Sequence, residues 1–206
     1  MSRIFTFALI CAAFFASTAC SDDDSAADKT YKTGDFYNEK GVRGVVFKTS
    51  DAGRHGLVVS LDEKTVSDWA GGAAAEQKTG AVDQADGAVN QMTVEMIAGW
   101  QTKFTAFAWC AAKNMNSGAD WYLPAFYELA DLYQTYDADR EAFDACLIEN
   151  GGAPFAVTGE DNNYWSSTEN LISGKEREAA VFGFYEGIYS FLDKSYTARV
   201  RAVHKF

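Results

Sequence analysis

Apolar residues first gather at positions 4–16, behind Met1-Ser2-Arg3 and ahead of Ser17-Thr18-Ala19-Cys20. A basic start, a short greasy centre and small residues before a break form the layout of a secretory signal. The stretch is too short to cross a bilayer comfortably, so cleavage is expected rather than a retained helix. Further along, apolar positions return with two periods. Gly44-Val45-Val46-Phe47-Lys48 and Gly56-Leu57-Val58-Val59-Ser60-Leu61 flank the turn formers of residues 51–56 and predict a hairpin. Residues 71–87 are small and polar without a sustained period, which predicts a long surface loop.

Helical spacing follows. Phe104, Phe107, Ala108, Ala111 and Met115 recur at three- and four-residue steps and mark one face of a helix that residues 116–118 terminate. Pro124 then suits the first turn of a second helix, with Phe126, Leu129, Ala130, Leu132 and Tyr133 as its buried stripe. A third helix starts at the cap Asp139 and runs through Phe143, Cys146 and Leu147 to Gly151-Gly152. Beyond it the period shortens: a strand at residues 164–168, a hairpin around Tyr185-Glu186-Gly187, and a last strand at residues 197–204. Strands at both ends with two or three helices between them predict an α+β domain over residues 34–206, an antiparallel sheet with its N- and C-terminal strands paired.

Charge narrows the partners. Lys and Arg number 18 against 29 Asp and Glu, a formal net charge of −11, and loss of residues 1–19 removes only Arg3 from that balance. Such a surface repels phosphate backbones, so no nucleic acid is expected as a partner. No second apolar run approaches membrane-spanning length. Cys11 leaves with the signal, which leaves Cys110 and Cys146 in the domain. Two outcomes stand for that pair: a disulfide, adding ~3–5 kcal/mol by restricting the unfolded chain, or two free thiols, since Cys110 falls on an apolar helix face.

The small residues ahead of Cys20 resemble a lipoprotein box, in which the cysteine becomes the lipidated first residue. Ser17 stands where such boxes carry an aliphatic residue, and an ordinary signal with an incidental Cys20 is the alternative. Asp22-Asp23-Asp24 resembles the acidic tag that sends some Gram-negative lipoproteins to the outer face of the outer membrane; its plain reading is a solvated linker. On the lipoprotein reading, residues 20–33 are a flexible acidic tether, the lipid is the sole membrane contact, and the domain sits on the outer membrane facing the exterior.

Several separated motifs line up in order: Trp121-Tyr122-Leu123-Pro124 with Glu128-Leu129 and Leu132-Tyr133, then Tyr164-Trp165-Ser166-Ser167-Thr168-Glu169, a hairpin glycine, Lys194, and Arg199-Val200-Arg201-Ala202-Val203. Over roughly residues 44–206 this set resembles a bacterial surface-domain family of largely unknown function. The same domain type forms the C-terminal head of certain collagen-like bacterial adhesins, and it is similar to the C-type-lectin-like fold shared with formylglycine-generating enzymes. The resemblance implies a C-type-lectin-like α+β fold and no particular activity, because that fold hosts unrelated functions.

Within the motifs, Trp165 sits between Asp161-Asn162-Asn163 and Ser166-Ser167-Thr168-Glu169. One reading is a packed tryptophan whose neighbouring hydroxyls satisfy the backbone. The other is a groove with one aromatic face and several polar groups, which makes Trp165, Ser167, Glu169 and Asn163 candidate ligand-binding residues. Trp121 is either a lock between helix and sheet or an exposed platform for a sugar ring. Arg199 and Arg201 share a strand face and are expected to pair with Glu169 or Glu178, with Lys194 and Tyr196 close by. Asp161, Asn162, Asn163 and Glu169 are also oxygen donors of the kind calcium takes, but the Glu-Pro-Asn and Trp-Asn-Asp triplets of calcium-dependent lectins are missing, so no metal or cofactor is expected.

Catalysis has little to build on. His55 falls in a turn and His204 in the last strand, so a nucleophile has few bases to activate it. The region after Cys146 lacks the paired cysteines of a copper-thiolate oxygenase. Carboxylates such as Asp131, Asp137, Glu176 and Glu178 leave polysaccharide hydrolysis as a distant third reading. The expectation is a non-catalytic surface module binding a glycan or a surface protein, with a structural part of a surface complex as the alternative. If Cys20 carries the lipid, labelled palmitate marks the wild-type chain in cells and fails to mark Cys20→Ala; label on both variants refutes the anchor.

Overall fold

The computed structural model describes residues 29–158 and 162–206. The signal segment, Cys20, the acidic run after it and Asp161 lie outside the described residues. Four strands, β1 (Phe36–Glu39), β2 (Val42–Ser50), β3 (His55–Ser60) and β9 (Val203–Lys205), form an antiparallel sheet in the order β1-β2-β3-β9. A second sheet has the order β4-β8-β5-β6-β7, from β4 (Lys64–Asp68), β5 (Asn163–Glu169), β6 (Glu178–Gly183), β7 (Ile188–Asp193) and β8 (Thr197–Val200). Between them come the helical segments α1 (Gly87–Glu95), α2 (Trp100–Lys103), α3 (Thr105–Ala112), α4 (Asn114–Ser117), α5 (Phe126–Ala138) and α6 (Arg140–Glu149). The α+β reading holds, and the C-terminal strand closes onto the N-terminal hairpin through Val58↔His204.

Side chains on successive strand residues point to opposite faces, and here both faces are covered. Val46 and Val58 enter a core with Trp69, Phe104, Phe107, Trp121 and Trp165. Their neighbours Val45, Phe47 and Val59 enter a second core with Leu129, Leu132, Tyr136, Phe155 and Phe184. The unbroken apolar runs of the opening hairpin follow from this double burial, as in any strand covered on both sides.

Four expectations change. Residues 71–87 are not a surface loop: Ala75 and Ala81 are fully buried, and the segment leads into α1, whose first turn is capped by Asp86 through the N–H groups of Ala88 and Val89. The helix expected from Thr102 to Met115 is broken at Phe104, which leaves helical geometry to bury its ring, and Met115 is exposed. Pro124 precedes α5 rather than opening it, since Ala125 is the N-cap. Residues 29–33 belong to the fold and not to the tether, because Tyr31 is buried against Tyr37 and Phe206 and its N–H donates to the Gly53 carbonyl at 2.9 Å.

The expected last strand is in fact two strands in different sheets, joined at Arg201-Ala202. Arg201 is buried at this crossing, and its guanidinium donates to the carbonyls of Ser60 (3.0 Å), Leu61 (3.2 Å) and Pro154 (3.1 Å) while lying 4.3 Å from the centre of the Phe155 ring. Glu63, rather than the expected Glu169 or Glu178, bridges Arg199 and Arg201. Removing Arg201 strands several carbonyls and takes from Glu63 one of its two guanidinium partners. Arg201→Ala is therefore expected to cost about 3–5 kcal/mol in urea unfolding, and Arg201→Lys to recover little of it, since a single ammonium cannot span the fork.

Candidate functional site

Strand β5 carries most of the residues expected to bind ligand, and from Tyr164 to Glu169 every one is buried. Trp165 has 0% exposure and donates its indole N–H to the Ser67 carbonyl at 2.8 Å, so it offers no face to a sugar. Ser167 accepts from the Asn90 amide at 2.9 Å, and Thr168 accepts from the Phe126 N–H (3.1 Å) while donating to the Asp83 carbonyl (2.9 Å). Trp121 is buried as well, its backbone held at both ends by the Asn114 amide. Asn163 is half-buried at the opposite end of β5 from Glu169, about 20 Å away at ordinary strand rise. The expected groove around Trp165 is thus not assembled by the described residues, and Asn163 and Glu169 stand too far apart to share one ligand.

Glu169 reaches inward. Its carboxylate accepts from the N–H groups of Thr79 (2.9 Å) and Gly80 (3.0 Å) and pairs with Lys194, which is wholly buried. The Lys194 ammonium also donates to the Gln77 carbonyl at 2.9 Å and lies 4.7 Å from the Trp69 ring centre. Burial pulls the Lys194 ammonium below its ordinary range, although Glu169 beside it works in the other direction. The Trp-Tyr-Leu-Pro motif has a matching account: Glu128 accepts from the Tyr122 hydroxyl (2.8 Å) and from the N–H groups of Ala125 (2.8 Å) and Gly87 (3.1 Å), and burial pushes its carboxyl up. Cys110 and Cys146 are free thiols in different cores, so the disulfide alternative falls. Burial raises the Cys110 thiol far above its usual value, which removes it as a nucleophile.

Next to this interior lock is an open cleft of about 260 Å³, between the start of α5, residues 168–172 and the β6–β7 hairpin. Its walls hold Phe126, Tyr127, Tyr189 and Phe191, with Leu171 and Ile172 at the lip and Gln84, Thr168 and Asn170 as polar groups. Tyr127 is 51% and Tyr189 56% exposed. Phe126 anchors them both, edge-on to Tyr189 at 5.0 Å and to Tyr127 at 5.2 Å. The hairpin is placed by Gly187, whose positive φ makes the turn and whose missing side chain admits the Tyr133 ring. Among the lining residues the one ionised group is Glu169, already paired with Lys194. A larger trough of about 610 Å³ between β2, α5 and α6 is crossed by the ion pair Lys48–Asp131, and its two phenylalanines, Phe47 and Phe143, are buried.

Sequence reasoning missed Tyr127, Tyr189 and Phe191. A signal was present: residues 188–192 read Ile-Tyr-Ser-Phe-Leu, apolar on both faces of an edge strand that needs only one buried face. Tyr127 stood just off the buried stripe of α5.

The lock beneath the cleft can be tested directly. Lys194→Met leaves the Glu169 charge buried without its partner and is expected to cost about 3–5 kcal/mol in urea unfolding. Adding Glu169→Gln should return part of that loss, so the double variant falls short of the summed single effects.

No curated protein matches the chain significantly. Residues 59–204, from β3 through Trp121, the β5 run and Lys194 to β9, match the Lcl C-terminal domain, and the chain belongs to that family.

Proposed function

We propose that this domain is a non-catalytic head, carried outside the cell on a lipidated Cys20, that binds an uncharged glycan in the cleft of Phe126, Tyr127, Tyr189 and Phe191. The observation that carries the reading is the exposure of two tyrosines around a half-buried ring packed against the core, with the Gln84 amide beside them. Pyranose rings present flat C–H faces that pack on aromatic faces, while amides and hydroxyls fix their orientation. Membership of the Lcl C-terminal domain family supports a surface role at the coarse level. The net charge of −11 and a lining without a free cation disfavour sulfated or phosphorylated polymers. A second reading, a component of a surface assembly, is supported by the bare outer edge of β7 in the five-stranded sheet.

A glycan array probed with the chain from Lys29 onward, which contains both sheets and both cores, tests the first reading. Neutral oligosaccharides should be retained at low and high salt alike, and Tyr189→Ala or Tyr127→Ala should each weaken binding about tenfold. Retention of anionic chains alone, or binding indifferent to both substitutions in folded variants, refutes it.

A further inference from the structure

We propose that two copies of this chain pair antiparallel along β7, about a two-fold axis at Ser190, so that the two five-stranded sheets become one continuous sheet. Sheet edges are normally blunted by short strands, charges or bulges, because an open row of N–H and C=O groups recruits another strand. The other edges carry such devices: β1 and β9 are short and hold Glu39 and Lys205, and β4 carries Lys64 and a register shift. β7 runs in unbroken register with β6 over six residues, from Ile188 to Leu192 it bears no charge, and Tyr189 and Phe191 are exposed.

The sequence of β7 is self-complementary. Reversed about Ser190, Ile188 faces Leu192, Tyr189 faces Phe191, and Ser190 faces its own copy. Backbone geometry agrees. The Lys194 N–H donates to the Arg177 carbonyl, so the alternation of an antiparallel ladder turns the N–H and C=O groups of Leu192, Ser190 and Ile188 toward β6. Those of Tyr189 and Phe191 therefore point outward, and among the described residues none of these four groups has a partner beyond β6. In the two-fold arrangement each copy's Tyr189 and Phe191 exchange both groups with the other's Phe191 and Tyr189. Asp193, the one charge at the end of the strand, is already held by Arg177 at 2.8 Å, which limits repulsion between two acidic chains.

Pairing also bears on the cleft, and this part rests on the glycan-binding reading. Tyr189 and Phe191 share the face of the sheet that α5 covers, and a second copy sets its own Phe191 beside Tyr189. Two aromatic clefts then line one continuous surface, suited to a chain of sugars rather than a single unit. A two-fold contact uses the same patch on both partners, as isologous dimers do.

Sedimentation equilibrium of the chain from Lys29 onward should give twice the monomer mass, and Ser190→Lys should halve it by setting two ammonium groups face to face without touching the cleft face. In a Cys146→Ser background, Ser190→Cys should oxidise to a linked dimer, since a non-hydrogen-bonded antiparallel pair brings the two Cα atoms within disulfide range. Ile172→Cys, exposed but off the strand, serves as the control. A monomeric or trimeric wild type, a dimer that survives Ser190→Lys, or equal crosslinking of the control overturns the proposal. Array binding by monomeric Ser190→Lys separates the two readings: retained binding keeps the cleft alone, and a dimer that binds no glycan keeps the pairing alone.

Discussion

Lys194 carries its ammonium into an interior where an unpaired charge is untenable, and the surrounding architecture is arranged to receive it. Glu169 supplies the opposite charge from the end of β5, Trp69 an aromatic face after β4, and Gln77 a carbonyl from the long segment before α1. The second oxygen of Glu169 engages the N–H groups of Thr79 and Gly80, so one buried pair fixes three stretches far apart in sequence. Low polarity strengthens each of these bonds and makes the loss of any partner costly. The chain from Gln77 to Ala81 has almost no large apolar side chains to hold it, and these polar contacts take that role. They anchor one end of the wall whose other end is held by Thr168 to Asp83 and by the Tyr127 N–H to the Gln84 carbonyl.

A second buried cation solves a different problem. The C-terminal stretch must leave one sheet at Val200 and join the other at Val203, which interrupts the ladder and exposes carbonyls at Ser60, Leu61 and Pro154. Arg201 gathers those carbonyls with a single planar fork, and Glu63 pairs with it and with Arg199. In so acidic a chain, cations are scarce, and two of them are spent inside the fold. What remains outside is an anionic surface, on which rings and amides rather than positive charge are what a ligand can meet.

Legibility in the sequence followed the range of the interactions. The opening hairpin, the β6–β7 hairpin and α5 were readable because turn residues and periodicity are local signals, and each element answers to its own stretch. The segment of residues 71–87 was misread because nothing in its small polar residues reports that Glu169, some ninety positions later, will bind its backbone. The last strand was read as one because alternation continues smoothly through Arg201, while the switch between sheets is decided by carbonyls elsewhere. Around Trp165 and Glu169 the polar neighbours that suggest a groove in the sequence satisfy buried backbone and one another instead. The motif therefore identifies the fold, and the exposed aromatic rings of the cleft lie one layer further out on residues outside the motifs.

That displacement has a physical reason. A residue that closes a buried polar network loses rotational freedom and solvent contact, the two properties a ligand-facing side chain needs. A rigid interior does, however, let the next layer be exposed without collapsing. Phe126 is held by the α5 start, which is fixed in turn by Thr168 and Glu128, and so Tyr127 and Tyr189 can stand open around it. Exposed aromatics on an unblunted edge strand are a liability to an isolated domain unless something covers them. The surplus apolar residues of β7 are accounted for when that strand serves as both a wall of the cleft and a seam between two copies, since either use alone leaves half of its exposed face idle.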